Sequence, residues 1–387
     1  MNQIKKEIKS LRANYLFRSL KEVEKRNRLK IEIKGKNLVN FCGNDYLGLA
    51  TDARIKQCAI TAIKKWGTSA SASRLVSGNF SLHLALEERL KKFKNAESAL
   101  VFPSGYQTNL GAISSLVGKD DVIFSDRLNH ASLIDGARLS KARIEIFPHL
   151  DLGALKKKLA QAKGYQRKLI IIESLYSMDG DIAPLKRISS LAEKYQAWVY
   201  LDEAHSTGVL GKTGRGALEH FGITTFPENF ILMGTLSKAL VSQGGFICAS
   251  KEIREYLINR ARSFIYSTGL NPPALASALK ALEIIEQEKE RIDLLRENVH
   301  FARNGLLSVG IKLKSEPSPI IPIIIGNAKR AVQISQKLFA LGFFIQAIRP
   351  PSVPEGSSRL RLTISAGHKK DEMERLLEAL ARILVKI

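Results

Sequence analysis

Acidic residues are in short supply in this chain: 37 Asp and Glu face 60 Lys and Arg, a formal net charge of +23 with an isoelectric point near 9.9. The surplus excludes a charge-balanced surface and suits contact with something anionic, whether nucleic acid, a phosphate-rich small molecule or an acidic carrier protein. Lysine-rich stretches such as LKKKLAQAKGYQRK read equally well as plain solvated helix faces, so charge alone does not choose. Cysteine is scarcer still. Cys42, Cys58 and Cys248 are odd in number, far apart and set among apolar or small residues, which excludes a disulfide framework and a zinc site. Buried free thiols and no metal are expected. Also missing is any apolar run near the ~20 residues of a membrane span, and the charged opening MNQIKKEIKSLRANYLFRSLKEVEKRNRLK lacks a signal-peptide core. The expected location is the cytoplasm. With no repeat or low-complexity tract, 387 residues at 45% hydrophobic content describe a globular chain long enough for more than one domain.

What is present is an alternation. From about Ala99 to Ser250, short β-rich runs (ALVF, DVIF, RIEIF, KLIIIE, AWVYL, FILMG, GFICAS) are separated by helix-like segments such as YQTNLGAISSLV and IAPLKRISSLAEKYQ. That order predicts an α/β fold, a mostly parallel seven-stranded sheet with helices on both faces. Between FILMG and GFICAS there is no room for a crossover, so this last pair is expected to be antiparallel, with GTLSKALVSQGG as its connection. A Pro-rich break at GLNPPALAS opens a long helical stretch to about Leu307. Beyond it, strands at SPIIPIII, FFIQAI and RLRLTIS and helices at KRAVQISQKLFALG and KKDEMERLLEALARILVK predict a smaller α+β domain. The expected division is 1–50 as an N-terminal helix and strand segment, 51–270 as the large α/β domain, and 271–387 as linking helix plus small domain.

In open α/β sheets, ligands bind beyond the carboxyl ends of the strands. The residues there form an unusually polar set: Ser104, Gly105, Tyr106 and Asn109 after ALVF, His130 after DVIFSDRLN, Ser177 and Asp179 after IIIESLY, Asp202 and His205 in DEAH, and Thr235, Ser237 and Lys238 after FILMG. Singly, each has an ordinary structural reading as a helix cap or packing residue. Together they offer a helix N-terminus for a phosphate, a ring for stacking, a carboxylate and a lysine. That combination fits pyridoxal phosphate, which needs a lysine for its aldehyde and an acid beside its pyridinium nitrogen. In this reading Asp202 keeps the nitrogen protonated, His130 lies against the ring, His205 bonds near the phenolic oxygen and Thr235 adds a hydroxyl to the phosphate cradle. Gly244 and Gly245 allow the close return of a tight loop that carries Lys238. A nucleotide phosphate loop is excluded, because G-x-x-x-x-G-K-[ST] is absent.

The segments NDYLGLA, SRLVSG, LEERL, FPSGYQTN, NHASLIDG, ESLYSMDGDIAPL, LDEAHSTGVLGKTGRG, GTLSKAL, GGFICAS and RLRLTISAGH resemble, in order and over nearly the whole chain, the α-oxoamine synthases, fold-type-I pyridoxal-phosphate enzymes. Within that family, SRLVSG and IRPPSVPEGSSRLRLTIS are most similar to members that condense L-alanine with a pimeloyl thioester, carried by coenzyme A or an acyl carrier protein, in biotin synthesis. The alternative is a sister activity such as glycine C-acetyl transfer. From a different class comes a basic nucleic-acid-binding protein on an old fold, though the resemblance implies neither nucleic acid nor membrane as partner.

The resemblance also implies roles. Lys238 is like the lysine that carries the cofactor, Asp202 the pyridinium partner, His130 the stacking ring, and Ser177 and His205 the phenolic-oxygen neighbours. Ser104, Gly105, Tyr106 and Thr235 match the phosphate cradle. Ser267 and Thr268 in YSTGLNPP match residues that reach the phosphate of a second subunit, which implies a homodimer with shared sites. Asn44 and Arg361 match the groups that hold the amino-acid carboxylate, with Thr363 and Arg18 in the same substrate-binding set. Alternation in SRLRLTIS independently puts Arg359, Arg361 and Thr363 on one face and Leu360, Leu362 and Ile364 on the other, with the apolar face expected to pack. Two stretches depart from the family pattern: GTSASASRL is poorer in glycine, and YSTGLNPP carries Gly-Leu-Asn before its prolines.

Overall fold

The structure, a computed structural model, describes residues 1–313 and 317–384. Its contacts divide the chain into two compact units: a large one, Asp52–Tyr176 with Ile182–Ile292, and a small one, Met1–Thr51, Ser177–Asp181 and Asp293–Ile387. This differs from a division at 270 and 271. The helix Pro272–Gln287, expected to lead into the small domain, lies in the large unit, and the N-terminal segment groups with the C-terminal one.

Seven strands form the sheet of the large unit: β1 (Ser98–Phe102), β2 (Val122–Asp126), β3 (Arg143–Phe147), β4 (Lys168–Glu173), β5 (Trp198–Asp202), β6 (Phe230–Thr235) and β7 (Gly245–Ala249). Their order is β1-β7-β6-β5-β4-β2-β3. All neighbours are parallel except β7, which runs antiparallel to β6 and to β1. The β6–β7 hairpin is thus the one expected from the missing crossover. Continuous runs such as Leu169 to Ile172 read as strand because helices cover both faces, and each such side chain is fully buried. Each contributes about 1.5–3 kcal/mol. On one face Ile171, Tyr200, Ile231, Met233 and Ile247 pack against the helices Gly105–Leu116 and Ala131–Ser140.

Among the described residues, the small unit holds two sheets. Lys25–Asn27, Lys30–Ile33 and Lys36–Asn40 form an antiparallel meander, to which Phe343–Phe344 adds in parallel. Ile320–Gly326, Ser358–Thr363 and Ala347–Ile348 form a second, antiparallel sheet. FFIQAI is therefore two short strands in different sheets, not one: between them the Gln346 N–H turns aside to the Cys42 Sγ at 2.9 Å. The helices Ala328–Ala340 and Lys370–Leu384 complete the unit, and the expected extension of the last helix over Val385 and Lys386 lies outside the described residues. All three cysteines are free; Cys248 is buried, while Cys42 and Cys58 are half-buried. No helix among the described residues is long and apolar enough to cross a membrane.

Candidate active site

Hairpin geometry explains where Lys238 comes to rest. After β6 the chain turns so that the Leu236 N–H reaches the Gly244 carbonyl at 2.9 Å and the Ser242 N–H returns to the Leu236 carbonyl at 2.8 Å. Gly244 has φ +121°, which a side chain would strain, and a Cβ on Gly245 would meet Thr108 Oγ1 at 2.4 Å and the Gly105 Cα at 2.7 Å. The two glycines thus permit a tight return and bring the start of helix Gly105–Leu116 against the hairpin. Leu236, Ala239 and Leu240 are buried and pin the loop, leaving the half-buried Lys238 to extend. Its Nζ donates to His205 Nε2 at 2.7 Å.

Around this lysine a cavity of about 260 Å³ gathers Ser104, Gly105, Tyr106, His130, Asp202, His205 and Thr235, all from the ends of strands or the turns that follow them. A more capacious cleft, about 810 Å³, lies among the helices Ala53–Trp66, Ser81–Lys94 and Pro272–Gln287; its charged residues Arg54, Arg89, Lys280 and Glu283 come from those helices and not from strand ends.

Asp202 ends β5 and is 5% exposed. Its Oδ1 accepts from the Ala204 N–H at 2.9 Å and its Oδ2 from Asn109 Nδ2 at 2.9 Å. Among the described residues no lysine or arginine forms an ion pair with it. Burial holds the His130 imidazole below its ordinary pKa, Asp202 acts in the opposite direction, and Lys238 adds to the lowering. Ser104 caps the helix Gly105–Leu116 by accepting from the Gln107 N–H at 3.2 Å, and a Cβ on Gly105 would come within 3.2 Å of Thr235 Oγ1. The Tyr106 ring stands edge-on to His130 with centroids 6.2 Å apart, while its hydroxyl donates to Asp135, which raises the phenol pKa. Thr235 spends its own O–H on the Gly244 carbonyl at 2.9 Å.

The remaining expected residues stand elsewhere. Ser267 accepts from Gln107 Nε2 at 3.4 Å, and Thr268 makes a backbone bridge with Ser73; neither lines the cavity. Ser177 falls in the small unit, where its carbonyl accepts from Arg361 Nε at 2.5 Å. Both faces of Ser358–Thr363 are buried, so its polar face is covered too. Arg361 donates to Thr363 Oγ1 at 2.9 Å and, from both terminal nitrogens, to Asn44 Oδ1 at 3.3 Å. It has no acidic partner among the described residues, whereas Arg359 is ion-paired to Asp179 at 2.5 Å. Arg18, in the same unit, donates to the carbonyls of Arg349 (3.3 Å) and Pro350 (3.1 Å) and to Ser352 Oγ.

Ser132, Tyr200 and Glu203 had no expected role. Ser132 links Asn109 to His130, and Glu203 pairs with Lys94 on the opposite side of the strand end from Asp202. A serine in the first turn of a helix looks like a cap, and only its spacing of two from His130 in NHAS hints at more.

These groups fit pyridoxal phosphate part by part. The helix N-terminus with a glycine where a Cβ would crowd suits the phosphate, the buried carboxylate lacking a cation suits a protonated ring nitrogen, and the lysine suits the aldehyde.

The comparisons with known proteins agree. Residues 36–380 match the aminotransferase class I and II family. The chain is 44% identical over 97% of its length to the 8-amino-7-oxononanoate synthase of Geobacter sulfurreducens, covering 96% of it, and 43% identical over 99% to that of Lysinibacillus sphaericus, covering 98%. Among solved structures, a serine palmitoyltransferase from S. paucimobilis with bound PLP-myriocin aldimine superposes with a TM-score of 0.93 at 29% identity, covering 98% of this chain and 96% of that one. The 8-amino-7-oxononanoate synthase of Francisella tularensis follows at 0.78 and 29%, covering 90% and 98%. A lysine on a glycine-closed hairpin, a buried acid and a capped helix at one rim, together with these likenesses, place the chain in the aminotransferase class I and II family, among the pyridoxal-phosphate-dependent α-oxoamine synthases.

Proposed function

We propose that the chain condenses L-alanine with a pimeloyl thioester, releasing CO2 and the free thiol and yielding 8-amino-7-oxononanoate for biotin synthesis. The observation that carries this reading is the Lys238–His205 contact at the rim of a cavity whose floor holds Asp202. Pyridoxal phosphate, when bound, supplies an electron sink that acidifies the amino-acid Cα–H and later accepts the electrons left by decarboxylation.

The protein's own groups do the rest. Asp202 would hold the ring nitrogen protonated, and its two neutral hydrogen bonds keep it aimed while leaving its charge uncompensated. His130 would brace the ring from one face. Lys238 would hold the cofactor's aldehyde, and its free Nζ would be the group to take the Cα proton and to return one after CO2 departs; His205 Nε2, its present acceptor, would orient it. Arg361 would receive the α-carboxylate: both its terminal nitrogens already converge on one acceptor, Asn44 Oδ1, in the fork that a carboxylate fits. Ser104, Gly105, Tyr106 and Thr235 would cradle the phosphate. Ser177 is assigned to the phenolic oxygen, and Ser267 and Thr268 to a second subunit's phosphate. Thr363 and Arg18 belong to the substrate side. A cytoplasmic homodimer with shared sites is part of the same reading, and the basic surface would meet the phosphates of coenzyme A or an acidic acyl carrier protein.

The test is release of thiol and of the product from L-alanine with pimeloyl-CoA, and separately with a pimeloyl carrier protein, each repeated with glycine and acetyl-CoA. Product from alanine with either pimeloyl donor, absent in Lys238→Ala, is expected. Preference for glycine and acetyl-CoA would overturn the substrate assignment, and turnover by Lys238→Ala would overturn the site.

A further inference from the structure

Ser132 lies two residues beyond His130 in the first turn of helix Ala131–Ser140, and it is 1% exposed. Its partners determine where a proton can be. An ionised carboxylate only accepts hydrogen bonds, so the Asn109 atom at 2.9 Å from Asp202 Oδ2 is its amide nitrogen, and the amide oxygen turns to the Tyr200 hydroxyl at 2.9 Å. The second N–H of the same amide goes to Ser132 Oγ at 2.8 Å. A hydroxyl carries a single proton. Since Ser132 Oγ accepts from Asn109, that proton is free to be donated to His130 Nδ1, 2.8 Å away. The Ser132 backbone N–H points at the same Nδ1 from 3.3 Å. A ring nitrogen receiving two donors holds no proton of its own.

We propose that Ser132 is a positioning residue: held by Asn109, and through it by the Asp202 carboxylate, it fixes the proton of a neutral His130 ring on Nε2. The nitrogen left for a bound ligand is then a hydrogen-bond donor and not a base. The carboxylate assigned to the cofactor's ring nitrogen and the imidazole assigned to its face are thereby set by one buried network, whose members polarise one another in a poorly solvated site. Charged groups that act on His130 are Asp202 and Asp135, which favour its protonation, and Lys238, which opposes it; Tyr106 stands at its edge. Burial outweighs the two acids, in keeping with a neutral ring. The inference requires an ionised Asp202 but not any particular amino acid or thioester, so it can fail while the proposed reaction stands, and the reverse.

The experiment is long-range proton–nitrogen correlation NMR of the holoenzyme labelled at histidine ring nitrogens, with the His130 signals identified by their loss in His130→Gln. The expected wild-type pattern is protonated Nε2 and bare Nδ1 at neutral pH. Ser132→Ala should make the Nδ1-protonated form detectable and move the His130 titration upward, because a donor that favours the neutral ring is gone. Asp202→Asn should loosen the same lock, since an amide in place of the carboxylate no longer dictates which way Asn109 turns. A wild-type His130 protonated on Nδ1, or on both nitrogens, overturns the proposal without any variant. So does a Ser132→Ala spectrum whose tautomer and titration are unchanged.

Discussion

Each unit buries a pair of like charges close together in sequence and treats the two members in opposite ways. In the large unit, Asp202 and Glu203 are consecutive. Glu203 is fully buried and paired to Lys94 Nζ at 2.6 Å, with the Ala217 N–H on its other oxygen, while the Asp202 carboxylate has, among the described residues, an amide and a backbone N–H and no cation. In the small unit, Arg359 is paired to Asp179, and Arg361, two residues on, has only neutral acceptors among the described residues. Removing an ion from water is costly, and a structural charge is normally buried with its counter-ion. The members left without one are those assigned to a protonated ring nitrogen and to a substrate carboxylate. On the proposed function, ligands would complete the pairing that the protein withholds.

The comparison breaks most readily at the paired members. Lys94→Met strands a fully buried carboxylate and should cost about 3–5 kcal/mol of stability, read as a lower urea midpoint, with the Lys94→Met/Glu203→Met double variant recovering most of it. An unchanged midpoint would mean that the pair is not structural. Asp202→Asn should do the opposite, keeping the fold but lowering turnover by ~10²–10³-fold, the usual loss of a preorganised electrostatic group. If it unfolds as Lys94→Met does, Asp202 is a structural acid after all.

In the small unit the contrast is between two arginines. Arg361→Ala should lower kcat/KM for alanine by roughly 10–100-fold, as expected for a lost charge-assisted fork, and Arg361→Lys should restore only part. Arg359→Ala should instead lower stability, because Asp179 loses its partner. Steady-state kinetics with both variants decides; a larger effect on the alanine dependence from Arg359 would show that the roles are exchanged.

The legible parts of this molecule are those governed by local rules. Seven apolar runs announced seven strands, and a connection too short for a crossover announced the β6–β7 reversal. Of the strand-end residues, Tyr106, His130, Asp202, His205 and Lys238 line one cavity, because a parallel sheet aligns those ends, whereas Ser177 and Asp179 do not. Pairing over long separations left no local mark. Val39 lies beside Phe343, some three hundred residues on, and nothing in either segment says so. Ser177–Asp181 follows β4 in sequence yet groups with residues 293–387, so Ser177 reads as one more strand-end residue of the large sheet until its partner Arg361 is seen. Ser132 was missed for a different reason: its role depends on which atoms of three other side chains donate, and that is a property of the network.

Histidine supplies a third way to bury an ionisable group, which is to keep it neutral, and each unit has an example outside the cavity that holds His130. His83 Nδ1 accepts from the Phe80 N–H at 3.1 Å, and burial followed by the nearby Arg74 guanidinium lowers its pKa to about 4. His368 Nδ1 accepts from the Ser365 N–H at 3.0 Å, Nε2 donates to the Asn40 carbonyl, and the ring stacks on Phe41; burial lowers its pKa to about 4 as well. Protonating either Nδ1 would set one donor against another. Because both folded pKa values lie below the unfolded value of about 6.5, the unfolded chain binds more protons between pH 6.5 and 4, and stability falls as pH falls through that window. Below it no further loss arises from these groups. Between pH 7 and pH 5 each should account for about 1–2 kcal/mol, the smallest effect considered, and His83→Gln and His368→Gln should each narrow the difference between urea midpoints at the two pH values by a similar amount. The two rings share no hydrogen-bond partner, so the double variant should show the sum. If neither substitution narrows the gap, these rings are not held neutral by the fold, and acid lability must be sought among the ion pairs instead.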